Sequence, residues 1–257
     1  MNDLKVTLVQ ADLVWENAEA NLSHFTSVLR DVGNTDLIVL PEMFNSGFTM
    51  NAKGVAESES GKTLAWMRAM AKDKAAVITG SIVFQEQGNY YNRLFWVEKD
   101  GSYQSYDKRH LFRMAEEDKT YAMGKTKLLT QLGDWKVCPL VCYDLRFPVW
   151  IRNKEGYDLL IFVANWPDKR AYAWKHLLIA RAIENQCYVV GVNRVGMDGK
   201  QHAYSGGSVV IDPLGKCIFE SPEGKENVTT VKLDRGEMED FRKQFPAHLD
   251  ADKFNII

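Results

Sequence analysis

The chain of 257 residues is 46% hydrophobic and 26% charged, enough for one large domain or two small ones, and its 7 Pro and 18 Gly are too scattered for a disordered chain. Lys plus Arg (32) nearly balances Asp plus Glu (34), so the formal charge of −2 lacks the basic field that draws nucleic acid or an anionic membrane surface. No apolar run approaches the ~20 residues of a membrane span, Asp3 and Asp12 sit where a secretory signal would be basic and apolar, and the four cysteines (138, 142, 187 and 217) show no metal spacing. The composition describes a cytoplasmic, mixed globular protein with free thiols, one of which could be reactive.

In chain order, residues 5–10 read as a buried strand and 17–30 as a helix with Leu22, Phe25, Val28 and Leu29 on one face. A second buried strand at 37–40 precedes a helix over 63–72, carried by Leu64, Met67 and Ala71. Strands follow at 76–84, 94–98, 101–106, 136–141 and 159–163. A helix over 172–185 places Trp174, Leu177, Leu178 and Ile183 on one side, and strands at 188–193 and 208–211 complete the pattern. Buried strands alternating with helices predict an α/β fold, and the absence of a linker predicts a single domain over 1–257. The run Thr35-Asp36-Leu37-Ile38-Val39-Leu40 resembles Tyr157-Asp158-Leu159-Leu160-Ile161-Phe162. Either two similar halves each build a sheet, or any two buried strands after an Asp look alike.

Several familiar motifs fail on inspection. Gly61-Lys62-Thr63 and Gly124-Lys125-Thr126 imitate the end of a phosphate-binding loop, but Ala56 and Lys119 stand where the leading glycine is needed. No GxGxxG or GxSxG occurs, and the five histidines include no i, i+4 pair, so a dinucleotide site, a serine-hydrolase elbow and a zinc site are not expected.

Three segments share one arrangement, an apolar strand followed at once by a chemically capable residue. Glu42, directly after 37–41, would be partly desolvated and suited to proton transfer, though alone it could cap a turn. Cys142 ends the apolar run 137–141 at a polar turn, where backbone N–H groups can stabilise an oxyanion; a buried cysteine can equally be an inert packing residue, as Cys138, Cys187 and Cys217 are read. Lys108 follows the strand at 101–106 and, held near a thiol, would lower its pKa; a solvated lysine is the plain alternative. Because ligands of parallel α/β sheets bind beyond the carboxyl ends of strands, the three can converge.

These residues resemble the nitrilase superfamily of carbon–nitrogen hydrolases. Pro41-Glu42, Lys108-Arg109-His110-Leu111-Phe112 and Cys142-Tyr143-Asp144-Leu145-Arg146-Phe147-Pro148 match its Glu–Lys–Cys triad in order and spacing. Asn165-Trp166-Pro167 and Arg181-Ala182-Ile183-Glu184-Asn185-Gln186 extend the likeness over nearly the whole chain. The resemblance implies an α-β-β-α sandwich, commonly paired into a homodimer, with Cys142 as nucleophile, Glu42 as general base and Lys108 as oxyanion support. It also implies a second glutamate before the nucleophile: counting back from Gly124 gives Glu117, with adjacent Glu116 as the alternative.

The Cys-Tyr-Asp-Leu-Arg-Phe-Pro box looks most like the ω-amidase branch, whose members hydrolyse dicarboxylic acid monoamides such as 2-oxoglutaramate through a cysteine thioester, with no metal or organic cofactor. A small-molecule amide is then the expected partner. Its free carboxylate needs a cation, for which Arg146 is the candidate; bracing the elbow by pairing with Asp144 is the other possibility. Tyr143 would lend its backbone N–H, and Trp166 could wall the pocket or belong to the core. Competing readings are a sibling amidase or carbamoylase, a catalytically silent scaffold on this fold, and a Cys–His hydrolase using His110.

Overall fold

A computed structural model of the chain describes residues 3–256. The first half contains β1 (Asp3–Gln10), α1 (Ala18–Leu29), β2 (Leu37–Val39), α2 (Ala52–Val55), α3 (Lys62–Lys74), β3 (Val77–Glu86), β4 (Asn89–Val97), β5 (Tyr103–Asp107) and α4 (Glu117–Thr120). The second half contains β6 (Thr130–Leu132), β7 (Trp135–Val141), α5 (Pro148–Ile151), β8 (Leu159–Ala164), α6 (Ala171–Asn185) and β9 (Tyr188–Asn193). It ends with β10 (Val195–Met197), β11 (Ala203–Ser205), β12 (Val209–Ile211), β13 (Cys217–Glu220), β14 (Asn227–Asp234) and α7 (Arg235–Gln244).

Two six-stranded sheets result, ordered β14-β1-β2-β3-β4-β5 and β6-β7-β8-β9-β12-β13, with β10 and β11 forming a separate hairpin. In each sheet three adjacent strands are parallel (β1-β2-β3 and β7-β8-β9) and the outer ones antiparallel. The echo between the two halves is therefore real, since β2 and β8 are the middle parallel strands. The aspartate before each strand does the same work: Asp36 accepts from the Lys5 N–H at 2.8 Å and Asp158 from the Lys136 N–H at 3.1 Å, pinning the first strand of each trio.

Period-two alternation assigns the layers. Leu37 and Val39 of β2, with Leu94 and Trp96 of β4, join the second sheet in one core, whereas Ile38, Phe95 and Val97 face Phe25 and Leu29 of α1 and Leu64 and Met67 of α3. Both faces of β8 are buried, and Trp174 and Leu178 of α6 cover the outer face of the second sheet at Gly191 of β9. The layers are thus helix, sheet, sheet, helix, as expected. Among the described residues no helix is long and apolar enough to cross a membrane.

Three sequence expectations need correction. Ile183 is 53% exposed; the buried stripe of α6 runs Trp174, Leu178, Arg181, Ala182, Asn185, and Ile183 lies outside that 3.6-residue period. Arg181 joins the stripe because its guanidinium donates to the Leu145 carbonyl at 3.1 and 2.8 Å. Cys217 is exposed rather than packed, while Cys138 and Cys187 are buried, their thiols pushed up by burial, Cys138 to about 12. Finally, β14 was not expected, because Thr229, Thr230 and Lys232 break its apolar run, yet it pairs with all of β1 from Asp3↔Asp234 to Gln10↔Asn227.

Candidate active site

The carboxyl ends of β2, β5, β7 and β8 open on the same side of the sandwich, and the start of the antiparallel β4 lies beside them. Glu42 stands just beyond β2, fully buried. Its Oε1 accepts from the Lys108 Nζ at 2.9 Å and the Asn92 Nδ2 at 2.7 Å, and its Oε2 from the Asn165 backbone N–H at 2.8 Å. Lys108, only 1% exposed, follows β5 and also donates to both oxygens of Glu117 at 3.0 Å. Its backbone is held between Asn92, whose carbonyl accepts at 3.0 Å, and Gly124, whose N–H donates at 2.9 Å. Gly124 must be glycine there, because a Cβ would lie 1.9 Å from the Asp107 carbonyl oxygen.

Of the two candidates for a second glutamate, Glu117 is the one placed against Lys108: Glu116 is exposed and pairs with Lys119, whereas Glu117 is fully buried and also accepts from the Phe112 N–H. Burial raises the Glu117 pKa, with Glu42 adding to it and Lys108 opposing. Burial works against the Lys108 charge, but Glu117 and Glu42 outweigh it and hold the ammonium above its ordinary range. Asn92 ties the two glutamates together, its Nδ2 also reaching Glu117 at 3.3 Å.

Cys142 directly follows β7 and begins the tight turn Cys142–Arg146, with φ of +44° in the left-handed region that a non-glycine residue adopts only under constraint. The constraint comes from Asp144. Its Oδ2 accepts from the Val141 N–H at 3.1 Å and the Tyr106 hydroxyl at 2.8 Å, and its Oδ1 meets the His110 N–H at 3.0 Å and Nδ1 at 2.8 Å. Tyr106 and His110 flank Lys108 by two residues on either side, so Asp144 locks the cysteine turn to the lysine segment. The Sγ of Cys142 lies 3.9 Å from the Asn165 carbonyl oxygen. Burial, then the Glu42 carboxylate, push the thiol well above its ordinary range, and Lys108 only partly offsets them. Lys108 does lower the thiol pKa, as expected, but burial and Glu42 outweigh the lysine, so the sulfur needs a base as it attacks.

Two alternatives lose their footing here. His110 turns Nδ1 to Asp144 and stacks on Phe147 at a ring separation of 3.8 Å, the posture of a brace. Arg146 does not pair with Asp144, whose oxygens are already occupied; its guanidinium lies 5.0 Å over the Trp166 ring and has no hydrogen bond or ion pair among the described residues.

Cys142, Lys108 and Asn165 face a cavity of about 450 Å³, walled by Phe48, Phe112, Tyr143 and Trp166 and bearing Arg146 and Arg170. Trp166 does both jobs foreseen for it: it is buried and lines the cavity. Its N–H and carbonyl are gripped by the Asn193 side chain at 2.8 and 3.0 Å.

The sequence profile of the carbon–nitrogen hydrolases matches residues 5–243. The chain belongs to the carbon–nitrogen hydrolase family. This hydrolase is 45% identical over 257 residues to the ω-amidase YafV of Yersinia enterocolitica, covering 100% of both chains. It is 30% identical over 254 residues to the 2-oxoglutaramate amidase of Bacillus subtilis, covering 96% of this chain and 97% of the other. Among solved structures it superposes with a TM-score of 0.98 on XC1258 of Xanthomonas campestris, a superfamily member with an arsenic adduct in its active site, at 44% identity and 100% coverage of both.

The fold brings Glu42, Lys108, Glu117 and Cys142 into one cluster, with Tyr143, Arg146 and Trp166 around the cavity, and leaves Glu116 outside it. Sequence reasoning missed Asn92 and the structural roles of Asn165 and Asp144. The last two stood inside quoted motifs, but Asn92 sits in the polar beginning of β4, outside the 94–98 run, and carried no signal.

Proposed function

We propose that this single-domain hydrolase is an ω-amidase, cleaving the terminal amide of small dicarboxylic acid monoamides of the 2-oxoglutaramate type to carboxylate and ammonia. Glu42 accepts the Cys142 proton as the sulfur attacks the amide carbon. Lys108 and the Tyr143 backbone N–H stabilise the oxyanion, and Glu42 returns the proton to the departing ammonia, leaving a thioester. Glu42 then takes a proton from water, whose oxygen attacks the thioester carbon; the C–S bond breaks and Cys142 regains its proton. Glu117, bound to Lys108 rather than facing the cavity, fixes that ammonium and its charge. Acid–base assistance contributes about 10²–10⁴-fold and one oxyanion donor about 10²–10³-fold, so the rate is shared among the groups. The protein works in the cytoplasm, as a homodimer.

The observation that carries the substrate assignment is the unpaired Arg146 guanidinium in the same cavity as the Cys142 sulfur. A cation without a protein partner in a partly enclosed site awaits an anion. The full-length likeness to the YafV ω-amidase and to the 2-oxoglutaramate amidase supports the same choice. The test is ammonia release from a panel of amides, ureas and nitriles by wild type and by Arg146→Gln. The variant is expected to raise KM for carboxylate-bearing amides by about 10–100-fold and to leave uncharged amides unaffected. Equal losses on both would make Arg146 a brace, and carbon dioxide released with ammonia from ureas would make the enzyme a carbamoylase.

A further inference from the structure

Besides Lys108, four full cations line the cavity: Arg146, Lys169, Arg170 and Lys200. One carboxylate, Asp198, stands among them, and it is already engaged. Its Oδ1 accepts from the Lys200 and His202 backbone N–H groups at 2.8 and 2.9 Å, and its Oδ2 from the Tyr204 hydroxyl at 2.9 Å and the His202 Nδ1 at 3.1 Å. It forms no ion pair with any of the four cations.

The cations are not equivalent. Lys169 is exposed, and Lys200 lies within electrostatic reach of Glu116 on the opposite loop. Arg170 is half-buried, its guanidinium 5.1 Å over the Phe112 ring, with no side-chain hydrogen bond or ion pair among the described residues. Arg146 has the same posture on Trp166, at 5.0 Å. Two guanidinium groups, each ordered by an aromatic face and each with free N–H donors, therefore line one small cavity. Stacking restricts them before any ligand arrives, so less ordering is lost on binding.

One carboxylate satisfies one guanidinium fork. A 2-oxo acid carries a further acceptor beside its carboxylate, the oxo oxygen, which would be left unsatisfied in a desolvated site unless a second donor meets it. We infer that Arg170 is a specificity-determining residue, donating to the 2-oxo oxygen of the substrate while Arg146 holds the adjacent carboxylate. This assignment rests on the amidase reading above and goes beyond it, since a simple monoamide needs only one of the two arginines.

The experiment compares wild type and Arg170→Gln on 2-oxoglutaramate, on glutaramate (the same chain with CH₂ in place of the oxo group) and on an uncharged aliphatic amide. The variant is expected to lose about 10–100-fold in kcat/KM on 2-oxoglutaramate, mainly through KM. Its loss on the other two should stay within about fivefold, the scale of an exposed charge effect. An equal loss on all three amides would mark Arg170 as structural, and no loss on 2-oxoglutaramate would remove it from the site; either overturns the inference while leaving the amidase reading intact. A wild-type enzyme inert toward all three would overturn both.

Discussion

Replacing Cys142 by alanine is expected to lower turnover of every amide by about 10⁴-fold or more, with the fold unchanged. The sulfur's polar contacts are a weak one to the Asn165 carbonyl and the Glu42 carboxylate beside it, so stability has little to lose. Its backbone, at φ +44°, strains alanine no more than cysteine. The site around it is nevertheless built for one event: a neutral buried thiol, a carboxylate beside it, and an ammonium held over both glutamates. Without the sulfur no thioester forms, and the remaining groups can only polarise the amide toward direct attack by water. Steady-state ammonia release with a thermal melt on the same sample checks both halves of this expectation.

Replacing Lys108 by methionine is the change expected to do the most combined damage. Turnover should fall by about 10²–10³-fold from the lost oxyanion donor. Stability should fall by about 3–5 kcal/mol, because Glu42 and Glu117 are then buried with no compensating charge. The sign with pH follows from Glu117, already raised by burial and by Glu42. Removing the ammonium raises it further. A carboxyl whose folded pKa exceeds its unfolded value, about 4.3, binds the extra proton in the folded state, so stability is lost as pH rises through that window. Denaturant unfolding should therefore find the variant closest to wild type near pH 4 and progressively weaker toward neutrality. A deficit that stays constant with pH would mean that the lysine is needed for packing alone.

The sequence showed the parallel strands because both their faces are buried, which leaves continuous apolar runs such as those of β2 and β8. It showed Glu42 and Cys142 because each follows such a run; Lys108 follows the polar edge strand β5, and only its Lys-Arg-His-Leu-Phe motif marked it. Strand β14 stayed hidden because an edge strand open to solvent alternates with polar residues, and Asn92 because it sits where β4 is still polar. Whether Arg146 is free or paired could not be read locally: the answer depends on Tyr106 and His110, more than thirty residues earlier in the chain, having taken the oxygens of Asp144. The pKa of Cys142 was misjudged for a related reason. Lysine proximity was legible, but burial beside Glu42 is a property of the assembled sheets, and it outweighs the lysine.

The central claim is a covalent thioester on Cys142. Rapid acid quench of the enzyme during turnover of 2-oxoglutaramate, followed by peptide mass mapping, tests it most directly. An acyl adduct confined to the peptide bearing Cys142, absent from the Cys142→Ala variant, is the predicted result. Sustained ammonia release with no adduct, or an adduct on exposed Cys217 instead, would contradict it.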